Sequence, residues 1–97
     1  MGSDTKVEVR DNPEKQRFEA YVDGEPAGFC AYDRTDGGIT ILHTEVDDVY
    51  EGQGVGSSLV RQMLDQIRED DIKVTVLCPF VTTWLRKHPD YQKLIRR

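Results

Sequence analysis

Glu45-Val46-Asp47-Asp48-Val49-Tyr50-Glu51-Gly52-Gln53-Gly54-Val55-Gly56-Ser57-Ser58 decides how this chain is read. Three glycines at alternate positions lead into a run whose apolar residues, Val55, Leu59, Val60, Met63, Leu64 and Ile67, recur at helical spacing, with Arg61, Gln62, Asp65, Gln66, Arg68 and Glu69 expected to face water. The pattern predicts a helix from Gly54 to Asp70, closed by Asp70-Asp71. A strand passing through a glycine loop into a helix presents free backbone N–H groups and a positive dipole end, which suits a phosphate. The GxGxG spacing is neither a dinucleotide fingerprint nor a P-loop, and glycine turns before helices are common.

Towards the N-terminus the period changes to two. Val7 and Val9 alternate with Lys6, Glu8 and Arg10 up to Asp11-Asn12-Pro13; Phe18, Ala20 and Val22 alternate within Arg17 to Val22. Asp23-Gly24 is a hairpin turn, because a tight primed turn needs positive φ. Residues 26–34 are almost continuously small or apolar, the composition of a central strand covered on both faces. Asp36-Gly37-Gly38 turns the chain again, and Ile39 to Val46 is the fourth strand.

Beyond the helix, Lys73 to Leu77 reads as a fifth strand and Cys78-Pro79 opens a second helix carrying Phe80, Val81, Trp84 and Leu85. His88-Pro89 interrupts it, leaving Asp90 to Ile95 for a final turn or two. The order β-β-β-β-α-β-α predicts one α/β (α+β) domain over residues 1–97 with a mixed sheet: strands one to four antiparallel, four and five parallel through a right-handed crossover. The glycines then stand at the carboxyl end of strand four, where open α/β sheets bind ligands. Met1 to Thr5 are expected to be disordered.

Net charge is −5, divided as −8 over residues 1–53 and +3 over residues 54–97. An acidic chain argues against nucleic acid, although Arg86, Lys87, Lys93, Arg96 and Arg97 gather near the C-terminus and could meet one phosphorylated small molecule. Cys30 and Cys78 form neither a disulfide framework nor a CxxC metal site, so a reducing cytoplasm and no metal are expected. No apolar run reaches the length of a membrane span, which predicts a soluble chain.

The run Gly52-Gln53-Gly54-Val55-Gly56, placed after four antiparallel strands and before a helix and one parallel strand, resembles the acetyl-coenzyme A signature of the GNAT superfamily of N-acetyltransferases. His43-Thr44-Glu45-Val46, Cys78-Pro79-Phe80 and Lys87-His88-Pro89-Asp90-Tyr91 extend the likeness to small, single-domain GNAT-like proteins over residues 7–95. The resemblance implies strands four and five splayed around coenzyme A, with Val46, Gly52, Gln53, Gly54, Val55, Gly56, Ser57 and Ser58 against the cofactor and the pyrophosphate on the amides of Gln53 to Ser57. Two departures stand out. Glu51 occupies a position where the superfamily usually has Arg or Gln, and only Asp11 to Gln16 stands where longer members carry acceptor-binding helices.

Acetyl transfer to an amine needs a base, a polarised carbonyl and a proton for the departing thiolate. His43 and Glu45 are candidate bases at the end of the cofactor strand, sharing one face while Thr44 takes the other; a satisfied strand histidine and a solvated acid are the plainer readings. Cys78, ahead of a helix opened by proline, is a candidate nucleophile, with His43 or His88 as its base, or simply a buried thiol. The resemblance also implies that Tyr91 protonates the leaving group. Cys30, Phe29, Phe80 and Trp84 read as core. Three functions follow: an acetyltransferase acting on a small or protein amine, an acyl-coenzyme A binding module with little turnover, or an interaction domain without ligand. The chain is expected to be a monomer or weak homodimer, pairing through an edge strand if at all.

Overall fold

Alternation and turn chemistry produce the expected strands in the expected order. In the computed structural model, which describes residues 6–93 and 95, Val7–Asn12 (β1), Arg17–Val22 (β2), Glu25–Thr35 (β3) and Gly38–Val46 (β4) pair antiparallel in sequence order, and Lys73–Val76 (β5) joins β4 in parallel. The expectations for residues 1–5, Arg96 and Arg97 lie outside the described residues. Asp23 and Gly24, at φ 51° and 84°, supply the two left-handed residues of the β2–β3 turn. β1 runs on to Asn12 because Asp11 and Asn12 still pair with Phe18 and Arg17.

Val55–Asp70 (α1) crosses from β4 to β5 and lays its apolar stripe on one face of the sheet, where Leu59, Val60, Met63, Leu64 and Ile67 are no more than 1% exposed against Phe18, Ala20, Cys30, Ile39 and Ile41. Pro79–Lys87 (α2) adds Val81, Trp84 and Leu85 to that core, and Pro89–Gln92 (α3) is one short turn of helix. The polar side of α1 is not all solvated, as its pattern suggested. Gln62 Nε2 donates to Val7 O at 2.9 Å and Gln66 Nε2 to Val9 O at 3.0 Å, so α1 caps carbonyls on the free edge of β1. Among the described residues, no helix is long and apolar enough to cross a membrane.

The other face of the sheet carries no helix among the described residues, which corrects the expectation for β3. It is central in strand order but covered on one side only: Cys30 and Tyr32 point into the core, whereas Phe29 and Ala31 lie half-buried on the open face. Small residues here record a thin, open surface rather than a second layer. Phe29 is therefore not core, and Phe80, 44% exposed, is not either; Trp84, at 6%, is.

One irregularity governs the chemistry. Ala31 pairs with His43 but Tyr32 pairs with Ile41, which leaves Leu42 as an extra residue on β4. Before this bulge the odd-numbered Ile39 and Ile41 face the core; after it the even-numbered Thr44 and Val46 turn inward, and His43 and Glu45 take the open face.

Candidate functional site

β4 outlasts its partner. The β4–β5 ladder ends at Ile41 and Val76, with Leu77 N–H donating to Ile41 O at 2.9 Å, while β4 continues to Val46. Asp47 N–H donates to Ala27 O on β3 at 2.8 Å, so by alternation the backbone groups of Val46 and Thr44 point the other way, into the gap where the two strands splay. Leu42 and Leu77, the first residues past the last rung on each strand, are 42% and 64% exposed.

The loop beyond β4 is built from local hydrogen bonds. Asp47 Oδ1 accepts from Val49 N–H at 3.2 Å and starts a 3-10 turn over Asp48–Tyr50, after which Gln53 N–H donates to Tyr50 O at 3.2 Å. Gln53's amide is thus already engaged. Gly52 and Gly54 have φ of 82° and 78°, and a Cβ on either would meet nothing within 4 Å. Gly54 caps α1 without a side-chain hydrogen bond, and the first helical bond is Ser58 N–H to Gly54 O, so Val55, Gly56 and Ser57 present amides with no acceptor in the helix. Gly56 is there for another reason: a Cβ would lie 2.6 Å from Phe80 Cζ and 3.3 Å from Val46 Cγ2. Ser57 Oγ accepts from Trp84 Nε1 at 2.8 Å and Ser58 Oγ from Gln62 Nε2 at 3.0 Å, which orients both hydroxyls from behind. Open space, free amides and a dipole end fit an anionic ligand; Asp47, Asp48 and Glu51 on the approach do not help it.

His43 and Glu45 meet on the open face, with Nε2 to Oε2 at 2.9 Å. An ionised carboxylate only accepts, so Nε2 is the donor of this contact, and Nδ1 is the ring nitrogen left outside it. Glu45, but not His43, lines a recess of about 480 Å³ together with Arg17, Glu19, Tyr21, Phe29 and Asp47. Arg17 lies 4.7 Å over the Phe29 ring and bonds Glu19 at 2.7 Å. Burial raises the Glu19 pKa, but hydrogen bonds from Arg17, Tyr21 and Asn12 outweigh it and hold the carboxyl below its ordinary value.

Cys78 stands on the other side of β4. It is the N-cap of α2 with Pro79 following, as expected, but the residue is only 1% exposed and its Sγ lies 3.3 Å from Thr44 Oγ1, which also donates to Cys30 Sγ at 3.3 Å. Burial pushes the Cys30 thiol up to about 11. Neither histidine is its partner, because His43 is bound to Glu45 and His88 stacks on Trp84 at 3.8 Å while its Nδ1 donates to Trp84 O.

Tyr91 is set apart from these groups. Its hydroxyl donates to Asp65 Oδ1 at 2.8 Å, which raises its pKa, and Asp65 lies ten residues into α1, about 15 Å along the axis from the glycine loop. The structure therefore joins His43 to Glu45 and Cys78 to Thr44, and leaves Tyr91 with α1. The contact of Thr44 with both thiols escaped sequence reading because an inserted Leu42 carries no compositional mark, and only the pairing opposite Cys30 reveals it.

The family of GCN5-related N-acetyl-transferases matches residues 17–94. Protein NATD1 of Mus musculus is 33% identical over 58 residues, 60% of this chain and 53% of that protein, and Protein NATD1 of Homo sapiens is 33% identical over the same length. The chain spans about half the length of these curated relatives. A solution structure of a GCN5-like putative N-acetyltransferase from Staphylococcus aureus superimposes with a TM-score of 0.68 at 27% identity, covering 92% of this chain and 87% of that one. Ribosomal-protein-S18-alanine N-acetyltransferase from Escherichia coli, at 21% identity, TM-score 0.57 and coverage of 62% and 39%, shares the fold. With its sheet opening at the same junction as its glycine loop, and its sequence matched from β2 to the C-terminal turn, the chain belongs to the GCN5-related N-acetyltransferase family.

Proposed function

We propose that the chain transfers acetyl from acetyl-coenzyme A to a primary amine on a small molecule or protein. The observation that carries this reading is the length of β4 beyond its last rung with β5, which runs straight into the glycine loop. An extended amide-bearing chain lying in the splay would pair with the backbone of Thr44 and Val46, and its diphosphate would meet the amides of Val55, Gly56 and Ser57 in front of Gly52 and Gly54, with Gln53 and Ser58 flanking. The acceptor amine would come from the open face, where His43 Nδ1 takes its proton and Glu45 holds the ring; the amine then attacks the thioester carbon, an N–C bond forms and the C–S bond breaks.

One observation favours a second reading. Among the described residues, the sheet face bearing His43 and Glu45 has no helix over it, which would suit an acyl-coenzyme A binding module with little turnover. Calorimetry with acetyl-coenzyme A, followed by thiol release over a panel of amines, polyamines and lysine peptides, tests both. The transferase reading expects micromolar binding and amine-dependent thiol release that falls about 10²-fold in His43→Ala. Binding without release on any amine favours the module, and no heat at high micromolar ligand removes both coenzyme readings.

A further inference from the structure

The departing thiolate in that reaction needs a proton, and Tyr91 is occupied with Asp65 far along α1. The splay contains its own donors. Cys78 begins α2 just past the end of β5, Thr44 lies three residues past the last rung of β4, and their 3.3 Å contact bridges the opening strands. The Leu42 bulge turns Thr44 to this side, and its hydroxyl touches a second thiol, Cys30, across the β3–β4 pair. A hydroxyl has one proton. While Thr44 gives it to Cys30, the Cys78 S–H is left as the donor of the trio.

Cys78 lacks what a nucleophile requires, a base in reach to remove its proton, since both imidazoles of the chain are bound elsewhere. It has what an acid requires: a proton to give, and a hydroxyl able to turn and stabilise the sulfur once the proton has gone. We propose that the Cys78 thiol protonates the departing coenzyme A thiolate and that Thr44 is the positioning residue that holds Cys78 and rotates its O–H from Cys30 to the new Cys78 thiolate. Cys30, kept protonated by burial, is the end of the chain that does not ionise at neutral pH.

The step balances. The amine nitrogen bonds to the carbonyl carbon, the C–S electron pair leaves on the coenzyme sulfur, and the Cys78 proton goes to that sulfur. The proton lost by the amine passes through His43 to water, and water returns one to Cys78 before the next turnover. Thiol gives to thiolate, so the transfer exchanges like for like.

The inference rests on the acetyl-coenzyme A reading, and the experiment separates the two. Coenzyme A binding is measured by calorimetry, and thiol release is followed from acetyl-coenzyme A with hydroxylamine, an acceptor small enough for any open site. Cys78→Ala should bind coenzyme A within about 3-fold of wild type and lose about 10²-fold in kcat. Thr44→Val should lose about 10-fold while Thr44→Ser stays within about 3-fold, a rescue that follows the hydroxyl rather than the packing. With 4-nitrophenyl thioacetate, whose thiolate leaves without a proton, the Cys78→Ala deficit should shrink to about 3-fold or less. If alanine unfolds the chain, Cys78→Ser, nearer in size and a much poorer acid, serves in its place. An acetyl adduct on Cys78 in intact-protein mass spectra, a deficit equal for both donors, or thiol release equal in wild type and variants overturns the acid role alone. Absence of heat with coenzyme A overturns that role together with the reading beneath it.

Discussion

At the scale of single residues, the three loop glycines look alike in the sequence and answer different needs. Gly54 is held at φ 78° with open space in front of it, so Gly54→Ala pays left-handed strain of about 1–2 kcal/mol without any clash. Gly56 is helical and crowded by Phe80, whose ring end is half exposed and can swing. Gly56→Ala should therefore keep stability within about 1 kcal/mol of wild type, helix propensity offsetting the contact. Urea unfolding checks the order, with Gly54→Ala the less stable of the two. Cys30 gives a pH signature. Its folded thiol sits near 11 against an ordinary 9.0, so the folded chain holds that proton more tightly than the unfolded one. The contribution is complete below about pH 9 and is lost as pH rises to about 11, roughly 2–3 kcal/mol in all. Cys30→Val should lessen the fall in stability between pH 8 and 10, below the range where Tyr32, pushed up to about 12 by burial, adds its own. No single residue's identity announced these environments; φ, register and burial did.

At the scale of elements, strands and helices were legible because each carried its period: two from Val7 to Val22, 3.6 from Val55 to Ile67. Turn residues closed the hairpins for reasons the structure repeats, Asp23 and Gly24 above all. What periodicity hid was phase. Leu42 adds one residue to β4 and reverses which side chains face the core, and only pairing with β3 shows it. Deleting Leu42 would set His43 directly after Ile41 in plain alternation, still opposite Ala31 on the open face, and should therefore leave stability in urea unfolding within about 2 kcal/mol of wild type. Gln62 and Gln66 were equally hidden. On a helix wheel they belong to water, yet they reach the carbonyls of an edge strand that a wheel cannot represent.

At the scale of the whole molecule, the order of strands and the position of the glycine loop followed from sequence, because a helix between two parallel strands leaves few topologies. The open face did not, since Phe29 and Ala31 read as buried until the absence of a covering layer among the described residues was seen. Charge distribution is a property of this scale too. The half of the chain that contributes β4 and its loop carries −8, and Asp47, Asp48 and Glu51 bring that charge to the amides of α1. Glu51→Arg should tighten coenzyme A binding about 10-fold at low salt, with the gain shrinking towards 0.5 M salt as screening shortens its reach, roughly 3 Å at 1 M against about 10 Å at 0.1 M. Calorimetry across that salt range checks it.

Trp84 is the only tryptophan, and its indole N–H is tied to the Ser57 hydroxyl in the first turn of α1 while its ring stacks on His88 and meets Tyr91 edge-on at 5.1 Å. Excited beyond the absorption of the four tyrosines, the chain's emission therefore comes from one site in contact with the helix end that would receive a phosphate. A ligand seated there perturbs the fluorophore through a single hydrogen bond, so the protein carries its own optical gauge of occupancy, readable by titration without any attached dye.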